Sequence, residues 1–274
     1  MGDKYTYING QLALESEAKL LVTDLAIQRG YGIFDFLKTV NGRPIFIEDY
    51  FNRFYNSASE MNLDIDLNKT ELYKAISSLL EKNNIANSSL KLILTGGYSE
   101  DGYLLAKPNF IMVQAPFEYD RVSFHQGLNL LSHNYQRQLP TVKTIDYLQA
   151  IRLQPLLKLK DADDLLYHNN GEVRECPRAN IFMVKGNAVF TPNTAILRGI
   201  TRSKILNIAL SGISIKEQDF TLEDFANADE AFISSSTKNI LPVFSLDGKP
   251  IGNGKPGKIT TALNEQLLNM IANY

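Results

Sequence analysis

Four short turn signals divide this chain and limit the sheets it can build. Asn41-Gly42-Arg43, Asn169-Asn170-Gly171, Lys185-Gly186-Asn187 and Asp247-Gly248 lie between strand-like segments. Asparagine, aspartate and glycine are the residues that reach the left-handed backbone a tight hairpin needs. Strands joined by so few residues run antiparallel. Strands and helices otherwise follow one another without regular alternation, and no Gly-x-Gly-x-x-Gly opens a helix, which argues against a doubly wound dinucleotide-binding fold. The pattern alone predicts two α+β domains.

Length allows that, because 274 residues can give each of two domains its own core. A hydrophobic content of 44% with 21% charged residues fits a globular protein. The net charge of -2 lacks the basic excess that non-specific nucleic-acid binding requires, so small molecules are the expected ligands. One cysteine, Cys176, excludes an internal disulfide and fits a reducing compartment, while three scattered histidines leave little for a metal site. We read no export signal and no membrane anchor, and a cytoplasmic location is the resulting expectation.

Along the chain, residues 36–40 and 44–47 form a hairpin around Asn41-Gly42-Arg43, and a helix starts near Glu48 with Phe51, Phe54, Tyr55, Ala58 and Met61 at helical spacing. Leu63, Ile65 and Leu67 alternate with polar residues. Asn68, with Glu71 three residues on, caps a second helix. Strands at 90–95 and 110–114 flank a glycine-bearing loop, Gly96 to Tyr103. The first domain is placed at 1–117, the connection at 118–130 and the second domain at 131–274. The second holds a helix from Tyr147 that Pro155 interrupts, a helix from Thr201 to Leu210, a short strand at 231–233 and a closing helix at 259–271.

The stretch that carries chemistry is Arg137-Gln138-Leu139-Pro140-Thr141-Val142-Lys143-Thr144-Ile145-Asp146-Tyr147. A lysine in a polar segment is ordinarily a solvated surface charge. Three later segments change that reading: Val173 to Phe182 with Glu175 and Asn180, Leu197-Arg198-Gly199-Ile200-Thr201-Arg202, and Phe232 to Thr237. Together, and in this order, they resemble the class IV (fold type IV) aminotransferases that use pyridoxal phosphate, a family that includes branched-chain and D-amino acid aminotransferases and aminodeoxychorismate lyase.

The resemblance, which runs from about Gly30 to the C-terminus, implies a small N-terminal α/β sandwich domain with a mainly antiparallel sheet, a larger C-terminal pseudo-barrel, and pyridoxal 5'-phosphate as cofactor. It makes Lys143 the catalytic residue that forms the aldimine and then carries the proton between the substrate α-carbon and C4′. Tyr147 would donate to the cofactor's phenolic oxygen, or else be the first buried aromatic of its helix. Glu175 would hold the pyridine nitrogen protonated, which keeps the ring an electron sink. Gly199 would let the chain turn so that the amides of Ile200 and Thr201 meet the phosphate at a helix start, the plain alternative being Thr201 as an ordinary cap. Ser236, Thr237 and Arg53 would complete the phosphate site. Asp146 stands where asparagine is usual, Arg178 where small residues are usual.

For substrates, Phe34 matches an aromatic wall of the branched-chain enzymes, while Phe36 replaces a glycine and narrows the pocket. Tyr31, Tyr98 and Lys238 are further candidate substrate residues, Lys238 standing where those enzymes have alanine. The loop at 96–103 lacks the arginine and histidine with which D-amino acid enzymes hold a carboxylate. The reading is transfer of an amino group between an amino acid and a 2-oxo acid, with branched-chain-like L-amino acids ahead of D-amino acids. Aminodeoxychorismate lyase, giving 4-aminobenzoate and pyruvate, is the alternative within the family, and a non-catalytic ligand-binding protein the one outside it. Pyruvate release without an amino acceptor would mark the lyase. Cofactor binding without exchange with any amino acid would mark the binding protein. The resemblance also implies a homodimer in which Tyr31 or its loop reaches the partner's site.

Overall fold

The computed structural model describes residues 4–118 and 123–274. Contacts divide the chain into two units, Met1–Glu118 with Val142–Asp146, and Tyr119–Thr141 with Tyr147–Tyr274. The segment carrying Lys143, which the sequence division put in the second domain, therefore groups with the first. Of the stretch 118–130 expected to be a connection, residues 119–122 lie outside the described residues and Leu128 already begins a strand.

The first unit runs β1 (Tyr5–Ile8), β2 (Gln11–Leu14), α1 (Leu25–Arg29), β3 (Gly32–Val40), β4 (Arg43–Pro44), α2 (Ile47–Glu60), α3 (Lys69–Asn83), β5 (Ser88–Thr95) and β6 (Phe110–Pro116). Its sheet has the order β2-β1-β6-β5-β3-β4, with every pair antiparallel. Alternation along β3 explains its two faces. Ile33, Asp35, Leu37 and Thr39 are all but fully buried, whereas Phe34 and Phe36 are half-buried on the other side. The β3–β4 hairpin turns at Asn41 and Gly42, both at positive φ, but β4 is shorter than expected. Phe46 sits in the left-handed region and starts α2 at Ile47. Asn68 and Glu71 form the expected capping box of α3. Leu63, Ile65 and Leu67, despite their alternation, belong to no strand.

The second unit runs α4 (Ser123–Gln126), β7 (Leu128–Asn134), α5 (Leu148–Arg152), α6 (Gln154–Leu159), β8 (Asp164–Asn169), β9 (Glu172–Val173), β10 (Glu175–Cys176), β11 (Ala179–Lys185), β12 (Ala188–Thr191), α7 (Ile200–Leu206), β13 (Ser214–Glu217), α8 (Leu222–Ala226), β14 (Glu230–Ser235), β15 (Asn239–Leu246), β16 (Lys249–Pro250) and α9 (Lys258–Ala272). Ten strands form one sheet with the path β13-β12-β11-β14-β15-β7-β8-β9, while β10 pairs with β11 and β16 with β15. The pairs β7–β8, β7–β15 and β12–β13 are parallel, a feature that the hairpin signals do not foretell. A core including Leu130, Leu166, Ile181, Phe225, Ile233 and Val243 lines this sheet. Pro155 falls in the first turn of α6, where its missing N–H costs nothing, so it separates α5 from α6 as expected. The helix from residue 201 ends at Leu206, four residues early.

Candidate active site

In the first unit the lysine is held by main chain. Phe34 N donates to Lys143 O at 3.0 Å and Ile145 N to Gly32 O at 3.1 Å, so that Thr144 makes an isolated antiparallel bridge with Ile33 at the start of β3. Lys143 N in turn donates to Ser57 Oγ on α2 at 3.3 Å. Gly32 permits the close approach, because a Cβ there would lie 2.7 Å from Leu94 O and 3.2 Å from Ile145 Cδ1. These bonds fix the Lys143 main chain, and its Nζ lies 4.6 Å from the centre of the Phe34 ring.

Lys91 places a second ammonium 4.9 Å from the same ring, directly across the β3–β5 ladder from Phe36. Burial of its end lowers the Lys91 pKa. Lys38, on the same side of β3, is pushed down to about 8 by burial. Neither lysine was a candidate in the sequence: Lys38 follows Phe34 and Phe36 at period two on one face, but Lys91 joins them only through the pairing of β3 with β5. Arg53, on α2, grips the buried Asp35 with Nε at 2.9 Å and Nη2 at 2.6 Å and lies over the Tyr50 ring. Such a two-pronged pair fixes the direction of the guanidinium.

Tyr31 is occupied structurally, its hydroxyl donating to Met61 O at 2.7 Å. Tyr98 makes an isolated bridge with Asp24 and lines a cavity of about 360 Å³ in the first unit, shared with Tyr7, Leu94, Lys107 and Phe110.

In the second unit, β10 and β11 make the acid's setting. Glu175 and Asn180 are cross-strand partners, and both reach the backbone of Leu197. Glu175 Oε2 accepts from Leu197 N at 3.1 Å, and Asn180 Nδ2 donates to Leu197 O at 2.7 Å. The four-residue interval between acid and amide is thus the span of one tight hairpin. Gly199 follows as the residue before α7, with no side-chain cap, so Thr201 lies inside the helix rather than capping it. A Cβ on Gly199 would stand 2.1 Å from Asn180 Oδ1. The helix α7 is anchored by the buried Arg202, which donates to Thr191 Oγ1, Pro192 O and Glu217.

Helix α7 packs on β14, whose end leads into Ser236 and Thr237. There Ser235 Oγ accepts from Lys238 N at 3.1 Å and lies 3.2 Å from Thr237 Oγ1. Lys238 also acts electrostatically on the buried Asp164, whose carboxyl burial raises and Arg178, at 4.0 Å, lowers. Tyr147 is half-buried at the start of α5, its carbonyl accepting from Ile151 N.

Pyridoxal phosphate needs an amine, an acid for its ring nitrogen and an anion site. The described residues fit those needs. Helix α7 starts without a side-chain cap, Asn180 fills the space a side chain at Gly199 would take, and the buried Ser234 hydroxyl, just ahead of the 235–237 turn, has no partner among the described residues. No group of acidic, histidine or cysteine residues suited to a metal occurs among them, and no helix is long and apolar enough to cross a membrane.

Residues 32–246 match the family model for amino-transferase class IV. A putative branched-chain-amino-acid aminotransferase of Methanocaldococcus jannaschii is 30% identical over 272 residues, covering 95% of this chain and 94% of that protein. A D-alanine aminotransferase of Staphylococcus haemolyticus is 31% identical over 267 residues, covering 94% and 95%. The fold is that of the T.th. branched-chain amino acid aminotransferase solved with pyridoxamine 5'-phosphate, at a TM-score of 0.92 and 21% identity over 100% of this chain and 96% of that one.

Proposed function

The chain belongs to the class IV aminotransferases, fold type IV enzymes dependent on pyridoxal phosphate, and on that premise we propose that it moves an amino group between a branched-chain-like L-amino acid and a 2-oxo acid. The observation that supports this reading is Lys143, whose main chain is bonded to β3 and whose Nζ lies over the Phe34 ring. Phe34 and Phe36 give an apolar wall for an aliphatic side chain. Lys91, beside the same ring, suits a second carboxylate, which makes L-glutamate the donor to test beside L-leucine.

When bound, the cofactor supplies an electron-withdrawing ring that takes up the electron pair left by the substrate's α-proton. Lys143 Nζ would take that proton and return it, for which it must be neutral part of the time. Glu175 would keep a proton on the pyridine nitrogen, and Tyr147 would donate to the phenolic oxygen. The amides of Ile200 and Thr201 beyond Gly199, the hydroxyls of Ser236 and Thr237 and the guanidinium of Arg53 would hold the phosphate. Lys238 would meet a substrate carboxylate, with Tyr31 and Tyr98 lining the substrate's approach. In this reading the protein is a cytoplasmic homodimer.

The test is the absorption spectrum of the cofactor-loaded protein titrated in turn with L-leucine, L-glutamate, D-alanine and D-glutamate, with Lys143→Ala as control. Conversion to the pyridoxamine band by the L series alone is the expected result. Conversion by the D series alone would overturn the stereochemical part. Pyruvate released from aminodeoxychorismate without an amino acceptor would replace the transaminase by the lyase.

A further inference from the structure

Arg137 lies in the same segment as the lysine, yet nothing in the motif gives it a role. Three hydrogen bonds orient its guanidinium. Nη1 donates to Glu175 Oε1 at 3.3 Å and to Pro140 O at 3.1 Å, and Nη2 donates to Leu139 O at 3.0 Å. The pair is mostly buried, with side chains 17% and 6% exposed. Glu175 therefore has a cation on one carboxylate oxygen and the Leu197 amide on the other. Burial makes such a pair costly to break, because the charge left behind is uncompensated.

We propose that Arg137 is a positioning residue that keeps Glu175 in its carboxylate form and so keeps the proton on the pyridine nitrogen of the bound cofactor. The inference rests on the reading of Glu175 as that nitrogen's partner. The shared proton has two places to sit, on the ring nitrogen facing a carboxylate, or on Glu175 facing an uncharged ring. No atom is gained or lost between the two forms. The second discards the attraction between guanidinium and carboxylate, and an opposite charge at this distance favours the ionised acid by at least about tenfold.

Arg202 is a second cation within electrostatic range of Glu175. Its guanidinium is bonded to Thr191, Pro192 and Glu217, whereas Arg137 touches Glu175 directly. The carbonyl bonds to Leu139 and Pro140 close the turn that carries Arg137 and prevent the guanidinium from swinging away. Lysine would keep the charge at this position but lose the fork.

Pyridoxal 5'-phosphate labelled with 15N in the ring, bound to the full chain, reports the proton directly through its nitrogen chemical shift. The wild type should show a protonated nitrogen. Arg137→Met should lower the ratio of protonated to unprotonated ring by about tenfold or more, Arg137→Gln should do the same while retaining donors for the turn, and Arg137→Lys should restore the ratio in large part. A wild-type shift in both Arg137→Met and Arg137→Gln, with loss of the ring proton in Glu175→Gln, would reduce Arg137 to a structural role and overturn the proposal. A ring still protonated in Glu175→Gln would instead remove the assignment of Glu175 itself, and the proposal with it.

Discussion

Gly199→Ala tests the contact between the hairpin and the turn. The backbone at Gly199, with φ -65° and ψ 140°, is one that alanine adopts freely, so no strain arises from the dihedral angles. The added methyl would stand 2.1 Å from Asn180 Oδ1 and 3.3 Å from its Cγ. Asn180 is buried and must rotate, which breaks its 2.7 Å bond to Leu197 O. Losing that bond in a buried setting costs about 1–3 kcal/mol. The smaller entropy of the unfolded alanine chain returns about 0.4–1 kcal/mol, leaving a net loss of about 1–2 kcal/mol. Urea unfolding of the cofactor-free protein should show it as a lower midpoint with an unchanged slope. Pyridoxal phosphate should bind about tenfold more weakly, which corresponds to ~1.4 kcal/mol. The decisive comparison is the same substitution in an Asn180→Ala background, where the obstruction is gone and Gly199→Ala should cost nothing. An equal cost in both backgrounds would refute the reasoning.

Two further predictions concern stability. Glu230 accepts from Ile259 N, Thr260 N and Thr260 Oγ1 at 3.1, 2.8 and 2.7 Å and takes the place of a cap that Gly257 cannot supply to α9. Glu230→Ala should therefore lower Tm by roughly 5–10 °C, and a fall of less than about 2 °C would contradict it. Burial holds the Lys38 pKa near 8 against an ordinary 10.5, so the unfolded chain binds more protons between those values and stability rises with pH across that window. The stability difference between Lys38→Met and wild type should fall by about 3 kcal/mol between pH 7 and pH 10.5. A pH-independent difference in unfolding free energy would show that the charge is not its origin.

The candidate site was legible through the resemblance, which rests on short segments in a fixed order; Lys143 taken alone reads as a surface charge and Glu175 as a surface acid. Arg137 had no such segment to mark it, although its partner Glu175 was already a candidate, because the pairing spans 38 residues and an arginine in a polar loop has no periodic mark. Lys38 and Lys91 were hidden for a related reason. Only their placement on one face of a two-strand ladder makes them notable, and the register comes from pairing across the chain. The fold shows the same divide. Hairpins and the capped α3 followed local chemistry, whereas β15 is an inner strand despite its Pro242, which lies just before the stretch paired with β7 and near the shift in register between Val243 and Ser245.

The joint grip of Glu175 and Asn180 on Leu197 has a consequence for heredity and for engineering. Facing residues on a hairpin change sides together or not at all, so one inserted residue between Cys176 and Ala179 would turn one of the pair away and release the turn at the same stroke. Acid, amide and turn thus form one transplantable block, and a graft that moved any member alone would lose the others. Pro177 and Arg178, at the tip of the same hairpin, take no part in that grip. Pro177 marks where a lineage can try a new side chain without dismantling what lies behind it, whereas Arg178 also faces the buried Asp164 at 4.0 Å.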